Sequence, residues 1–150
     1  MSNILLNVKT DYEMLSSLIK IEDLINYALK NDIGSLGVTD SNLFSFMEFY
    51  NNCKKNNIKP IIGIDIELDN KKFLLYARNF NGYKSLCKIV SEKNINGLSF
   101  EYLKKYNKDI ICVCFNLILL FLLFLPLVPA ESRLSIDDCH RAVGDQGTLR

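Results

Sequence analysis

Two aspartates each follow an apolar segment that predicts a β-strand. Asp40 ends the segment SLGVTD at residues 35–40, and Asp65 ends PIIGID at residues 60–65. An amphipathic helix is predicted between them, which makes the two strands parallel neighbours. Because the carboxyl ends of parallel strands meet at one edge, we expect Asp40 and Asp65 to lie close together, where α/β proteins build their sites. A metal site there would need further ligands from the end of the first strand.

Each aspartate also has a purely structural interpretation. The sequence TDSN at residues 39–42 suits a helix N-terminus, where Asp40 or Ser41 would accept hydrogen bonds from free backbone N–H groups. Asp65 lies in the alternating segment IDIEL at residues 64–68, where it would be a solvated strand residue. We favour capping over catalysis for Asp40.

The elements that would position these residues alternate along the chain. Apolar periodicity predicts helices around Ile21 and Phe46, then around Tyr83, and a short helix capped by Ser99. Strands are predicted at residues 4–8, 35–39, 61–68, 72–77 and 109–113, with turns at residues 69–70 and 81–82. This order indicates an α/β fold with parallel neighbours, one hairpin-like step, and either a barrel or a doubly wound sheet.

Composition excludes several classes of protein. The chain has 150 residues and a net charge of +1, which predicts one ordinary globular domain and no strong electrostatic attraction to nucleic acid. Its lysine pairs, such as Lys54–Lys55 and Lys104–Lys105, are interpreted as solvated faces. The five cysteines form no CxxC pair, which favours a reduced, cytoplasmic setting over disulfides or a zinc site. The N-terminus is not that of a secretory signal.

The chain changes composition near residue 114. Lysine is absent after that point, asparagine nearly so, and the segment at residues 110–130 carries no charge. Three interpretations remain open for the apolar run at residues 113–130: a foreign tail from a frameshift or fusion, a membrane anchor, or core of the same domain. We predict a domain at residues 1–113 and an apolar, then polar and disordered tail at residues 114–150 that is not part of the fold.

Several ordered segments together resemble a known family. They are LNVKTDY at residues 6–12, GVTDSNLF at 37–44, IKPIIG at 58–63 and FLLYARN at 73–79. They resemble the PHP (polymerase and histidinol phosphatase) domain, in the form found at the N-terminus of bacterial DNA polymerase III alpha subunits. The resemblance covers about residues 4–113 and implies a distorted β/α barrel, here truncated to about five strands.

The resemblance also implies a metal site, with zinc, manganese or magnesium at the strand ends. Members with an intact site have two histidines at the positions of Asn7 and Lys9, Asp-His at Asp40 and Ser41, and an acid at Asp65. All three histidines are missing here, and Asn7, Ser41 and Lys9 are poor substitutes for imidazole. We therefore expect no cofactor and no catalytic residue, and treat these five as vestigial metal positions. We hypothesise that Lys9 replaces the metal and bridges Asp40 and Asp65.

By the same resemblance, the parent family is a DNA-directed DNA polymerase, a nucleotidyltransferase of DNA replication. The expected role of this chain is an inactive scaffold or interaction domain. Its expected partners are the remainder of the polymerase alpha subunit and a proofreading exonuclease subunit, with DNA contacted only through the full-length protein. The alternatives are a stand-alone PHP phosphoesterase and a membrane-tethered binding module that uses residues 113–130.

Overall fold

The computed structural model describes residues 3–115 of the chain. Its elements are the strands β1 (Asn3–Val8), β2 (Ile33–Val38), β3 (Lys59–Leu68), β4 (Lys71–Ala77) and β5 (Ile110–Phe115), and the helices α1 (Ile21–Lys30), α2 (Phe46–Lys55), α3 (Phe80–Ile95) and α4 (Phe100–Lys105). The strand order β1-β2-β3-β4-β5 follows the chain, as in a β/α barrel, and lacks the reversal of a doubly wound sheet. The sheet is mixed and does not close, so the prediction of an α/β fold with about five strands is confirmed.

The described residues divide into two compact units, with the boundary between Asp65 and Ile66. In the first unit, β1 pairs with β2 and β2 pairs with β3, both in parallel, as the alternating pattern predicts. The amphipathic helix α1 packs against α2 and β2 and buries Ile21, Leu24, Ile25 and Ala28. These side chains join Leu36, Val38, Phe49 and Cys53 in one hydrophobic core. The three parallel strands therefore end at a common edge supported by a packed core.

In the second unit, β4 and β5 form an antiparallel pair with Leu75 opposite Cys112. For β4 and β5, the expectation of parallel neighbours is wrong. Two helices, α3 and α4, connect these strands, and the second helix reverses the direction of the chain once more before β5 begins. The predicted turn at Asp69 and Asn70 is confirmed: both residues have positive φ, 51° and 58°, as a two-residue hairpin turn requires.

The start of α3 differs from the sequence prediction. Asn81 and Gly82, predicted as a turn, lie in the first turn of α3. The reason is the side chain of Asn79, whose Oδ1 accepts hydrogen bonds from the backbone N–H groups of Asn81 and Gly82 at 2.9 and 3.0 Å. This cap starts the helix three residues before the first apolar position that the periodicity marks.

The predicted tail at residues 114–150 lies outside the described residues, apart from the last two residues of β5. The strand β5 runs to Phe115, two residues past the predicted end of the domain. Within residues 3–115, no helix is both long and apolar enough to cross a bilayer.

Candidate functional site

The carboxyl ends of β1 and β2 bring the predicted site residues to one edge of the first unit, beside Asp65. The expectation that Asp65 ends its strand is wrong, because β3 continues to Leu68. The backbone N–H of Asp65 donates to the carbonyl oxygen of Asp40 at 3.1 Å, so these two residues are neighbours as expected. The chain leaves β1 through Lys9 and Thr10, and the backbone N–H of Thr39 donates to the carbonyl oxygen of Val8 at 2.9 Å. The backbones of Asp40 and Asp65 therefore lie side by side at this edge, in agreement with the expectation that the two residues are close together.

Lys9 lies between two carboxylates, which we call the Lys9 cluster (Lys9, Glu13 and Asp65). The Nζ atom of Lys9 is 2.9 Å from Oδ2 of Asp65 and 3.6 Å from Oε1 of Glu13. The Lys9 side chain is 30% exposed, whereas those of Glu13 and Asp65 are 12% and 13% exposed. Asp65 is therefore an ion-paired residue in a sheltered position, and not the solvated strand residue of the structural interpretation.

The side chains around Lys9 stabilise its protonated form. Burial lowers the pKa of Lys9, but the hydrogen bond and charge of Asp65 outweigh it, with a further contribution from Glu13. The net result is a pKa raised above the ordinary value of 10.5. An ammonium group therefore occupies this position throughout the physiological pH range.

Asp40 has a different environment from the one that the bridging hypothesis requires. Its Oδ1 accepts a hydrogen bond from the backbone N–H of Thr10 at 2.7 Å. Its Oδ2 accepts from the hydroxyls of Thr10 at 2.7 Å and Ser45 at 2.6 Å. The whole residue is buried, with 0% exposure. The part of the hypothesis in which Lys9 bridges Asp40 is wrong, because three donors already satisfy this carboxylate.

Asp40 does not cap the following helix either. Helix α2 begins at Phe46 with Ser45 as its N-cap residue, and the Ser45 side chain makes no capping hydrogen bond. Its hydroxyl donates to Asp40 instead. Asp40 therefore ties the end of β1 to the segment before α2, a role that neither the metal nor the capping interpretation gave it.

The remaining predicted positions, Asn7 and Ser41, are held at the margins of the site. Asn7 lies in a left-handed conformation, φ 61°, where the pairing of β1 with β2 is irregular. Its Oδ1 accepts a hydrogen bond from the Thr39 hydroxyl at 2.7 Å. The backbone N–H of Ser41 donates to Oε2 of Glu13. Both residues thus contribute to the network through groups other than a metal-binding imidazole.

Sequence reasoning missed three residues of this network: Thr10, Glu13 and Ser45. Thr10 is fully buried and donates twice to Asp40, and Glu13 links Lys9 to the backbone of Ser41. Thr10 is adjacent to Lys9 in the chain, but no periodicity marks residues 9–20, since they form turns between β1 and α1. Lys9 and Glu13 are four residues apart, which is the spacing of ion pairs on a helix. The segment that contains them forms turns and not a helix, so this spacing was no reliable sign of their ion pair.

Comparison with known proteins places the chain in a family. The PHP domain family matches residues 6–145, a range that begins within β1 and extends beyond the described residues. The DNA polymerase III subunit alpha of Staphylococcus aureus (strain COL) is 38% identical over 116 residues, or 72% of this chain. That of Ureaplasma parvum serovar 3 is 39% identical over 110 residues, or 73% of this chain.

The chain spans 11% of the length of these curated relatives. Among solved structures, a candidate metal-dependent phosphoesterase from Bifidobacterium adolescentis matches with a TM-score of 0.49 and 11% identity, over 62% of this chain and 34% of that one. On the family match over most of its length, the chain belongs to the PHP domain family, and it is homologous to the N-terminal region of the DNA polymerase III alpha subunit.

Proposed function

We propose that this chain is a non-catalytic PHP domain of a bacterial replicative DNA polymerase III alpha subunit, and that it serves DNA replication as a scaffold or interaction domain. The observation that carries the proposal is the Lys9 ammonium, 2.9 Å from the Asp65 carboxylate. A phosphoesterase would need divalent metal at this position, and a cation already fills it.

The residues present do not fit a metal ion of the kind the family implies. A dication beside the Lys9 ammonium would be repelled, and it would compete with Lys9 for Asp65. The Asp40 carboxylate, which would be the second acidic ligand, is buried and accepts three hydrogen bonds. Within the described residues no group of three or more histidine, cysteine, aspartate or glutamate side chains is arranged to hold a metal. We therefore derive no hydrolytic step through a metal.

Polymerisation itself would belong to other parts of the polymerase. Nucleotide transfer needs a set of carboxylates that holds two metal ions, and the resemblance implies that this set lies in a palm domain beyond this chain. The partners we propose are the remainder of the alpha subunit and a proofreading exonuclease subunit. Exposed apolar side chains on the first unit support a partner: Met14 is 86% exposed, Leu18 94% and Phe44 76%.

The first test is hydrolysis of a generic phosphomonoester by the full chain with added manganese. We expect no release of phosphate above the rate without protein, for wild type and for Asp65→Asn alike. The stand-alone phosphoesterase would be supported instead by turnover that Asp65→Asn abolishes and that Asp69→Asn, in an exposed turn, leaves intact.

The second test is association with the remainder of a polymerase alpha subunit, produced separately. We expect a complex on gel filtration that Leu18→Ser weakens and that Tyr27→Ser, an exposed residue of α1, does not. Absence of any complex between the folded chain and this partner would overturn the interaction role.

A further inference from the structure

The second unit carries a surface on which lysines and aromatic rings alternate. We call it the α3–α4 stripe: Phe80, Lys84, Lys88, Lys105 and Tyr106. The Nζ of Lys84 is 4.7 Å from the centroid of the Phe80 ring, and that of Lys88 is 4.9 Å from the Tyr106 ring. The Nζ of Lys105 also lies over the Tyr106 ring, at 5.6 Å. The stripe is therefore continuous from the first residue of α3 to the residue after α4.

Helix geometry gives the stripe its direction. Phe80, Lys84 and Lys88 are spaced four residues apart, so they share one face of α3 and extend about 12 Å along it. A second ring supports each end: Tyr83 stacks on Phe80 with centroids 6.2 Å apart, and Tyr102 lies 4.9 Å from Tyr106. The rings thus form two small platforms with lysines between them.

The stripe is accessible. Phe80 is 68% exposed, the three lysines are exposed, and Tyr106 is half-buried. Packing of the domain does not require a phenyl ring in this position, since the core of the second unit is formed by other side chains such as Phe73, Leu75 and Leu86. An exposed ring flanked by cations suits a ligand that offers both flat apolar faces and negative charge.

Charge is unevenly divided between the two units. Residues 66–115 contain nine basic and five acidic side chains, whereas residues 3–65 contain six basic and eight acidic ones. Within residues 3–115, Lys84, Lys88 and Lys105 take part in no ion pair. The net charge of the whole chain is only +1, but residues 66–115 carry an excess of positive charge.

The acidic groups around the stripe have other partners or lie at its ends. Glu92 accepts a hydrogen bond from the side chain of Asn96 at 3.0 Å, at the far end of α3. Asp109 accepts one from Asn79 at 2.9 Å, and Glu101 lies in the first turn of α4. The central lysines, Lys84 and Lys88, remain available to an anionic ligand.

We propose that the α3–α4 stripe is a binding surface for single-stranded DNA. The lysines contact phosphates, and bases stack on the exposed Phe80 ring and beside the half-buried Tyr106 ring. This is the combination by which single strands are bound without sequence preference. This goes beyond the proposed function, in which DNA is reached only through the full-length polymerase. It also replaces the interpretation of Lys104–Lys105 as a plain solvated face, because Lys105 lies over an aromatic ring.

The test is fluorescence anisotropy of a labelled oligo(dT) titrated with the full chain at several salt concentrations. We expect affinity to fall as salt rises, with a log–log slope of about −2 for three phosphate contacts. Lys84→Ala/Lys88→Ala should weaken binding at least about fivefold and bring the slope closer to zero by about 1.4. Phe80→Ala should weaken binding about fivefold or more and leave the slope unchanged, because stacking releases no counterions.

A matched control exists in the first unit. Lys54 also lies over an aromatic ring, 5.7 Å from the Tyr50 centroid, next to exposed Lys55. Lys54→Ala/Lys55→Ala should leave the affinity unchanged, whereas Lys84→Arg/Lys88→Arg should retain binding. Circular dichroism verifies that each variant keeps the wild-type fold, which is expected because all substituted side chains are exposed and the half-buried Tyr106 is left intact.

Three results of the DNA titrations would overturn the proposal, and one result without DNA binding would do so as well. The first is equal affinity of wild type and both stripe variants, and the second is equal loss in the Lys54/Lys55 control. The third is duplex DNA binding as tightly as oligo(dT), which would remove stacking from the explanation. Concentration-dependent self-association that Phe80→Ala abolishes, without DNA binding, would assign the stripe to a second copy of the chain instead. The proposed polymerase role does not depend on these results.

Discussion

At the scale of single residues, Lys9 supplies the positive charge of the candidate site. Its ammonium lies between Asp65 and Glu13, two carboxylates that would repel each other without it. By the resemblance, family members with an intact site have imidazole ligands at this edge. We propose that here the Lys9 ammonium neutralises the acidic side chains in place of a metal ion.

Lys9→Ala should destabilise the chain, because it leaves Asp65 and Glu13 sheltered without a cation. We expect a loss of about 1–2 kcal/mol in the free energy of unfolding, between the values for exposed and buried ion pairs. Chemical denaturation measures it, with exposed Lys59→Ala as the control that should cost much less. Equal costs for the two variants would show that the Lys9 cluster has no special role.

The same pair gives a pH dependence. The pKa of Lys9 is raised in the folded state, so its contribution to stability is complete below the ordinary value of 10.5 and is lost as pH rises through the folded value. The difference in unfolding free energy between wild type and Lys9→Ala should therefore stay constant up to that pH and shrink above it. Shrinkage as pH rises through neutrality would contradict the assignment.

The Thr10 hydroxyl should contribute to the stability of the chain through its hydrogen bond to Asp40. Thr10→Val removes one of the three donors to the buried Asp40 carboxylate and should cost about 1–3 kcal/mol of stability. Thr10→Ser keeps the hydroxyl and should recover most of that loss in a denaturant titration. If the two variants are equally stable, the Thr10–Asp40 hydrogen bond is not what holds β1 to the segment before α2.

At the scale of elements, the start of α3 lies very close to the strand that follows it in the sheet of the second unit. An added Cβ at Gly82 would lie 2.2 Å from the carbonyl oxygen of Asp109, and that same oxygen accepts a hydrogen bond from the backbone N–H of Arg78 at 2.9 Å. Backbone atoms on both sides leave little room to relax.

Gly82→Ala should therefore destabilise the chain by about 1–3 kcal/mol through overpacking, despite the better helix propensity of alanine. Asn81→Ala, at the exposed neighbouring position in the same helical turn, should be close to neutral. Thermal unfolding of the two variants measures the difference. A Gly82→Ala variant as stable as Asn81→Ala would show that α3 can shift away from Asp109.

The elements of the first unit could be predicted because each has a strong local signal. The apolar periodicity of α1 and α2 and the short apolar strands gave both the fold class and the meeting of Asp40 with Asp65. The antiparallel pairing of β5 was not predicted although the short helix α4 was, because the positions of helices along the chain do not fix the direction in which the next strand enters the sheet. Thr10, Glu13 and Ser45 were also hidden, since hydrogen bonds between distant turns leave no period in the sequence.

At the scale of the whole molecule, β1 stands first in the strand order of the described sheet and pairs there with β2. Much of β1 is exposed, with Ile4 at 60% and Leu6 at 48%. Exposed strand edges of this kind are usually covered in a native protein, which agrees with a domain that works as part of a larger assembly. We predict that residues 1–113 alone fold only marginally.

The most direct test of the central claim is the metal content of the folded chain, purified by gel filtration from cells supplied with zinc and manganese. We expect no stoichiometric metal by mass spectrometry, because the Lys9 ammonium competes with a dication for Asp65 and the Asp40 carboxylate already accepts three hydrogen bonds. One or more tightly held zinc or manganese ions per chain, lost in Asp65→Asn, would contradict the claim and would support the alternative of a stand-alone PHP phosphoesterase.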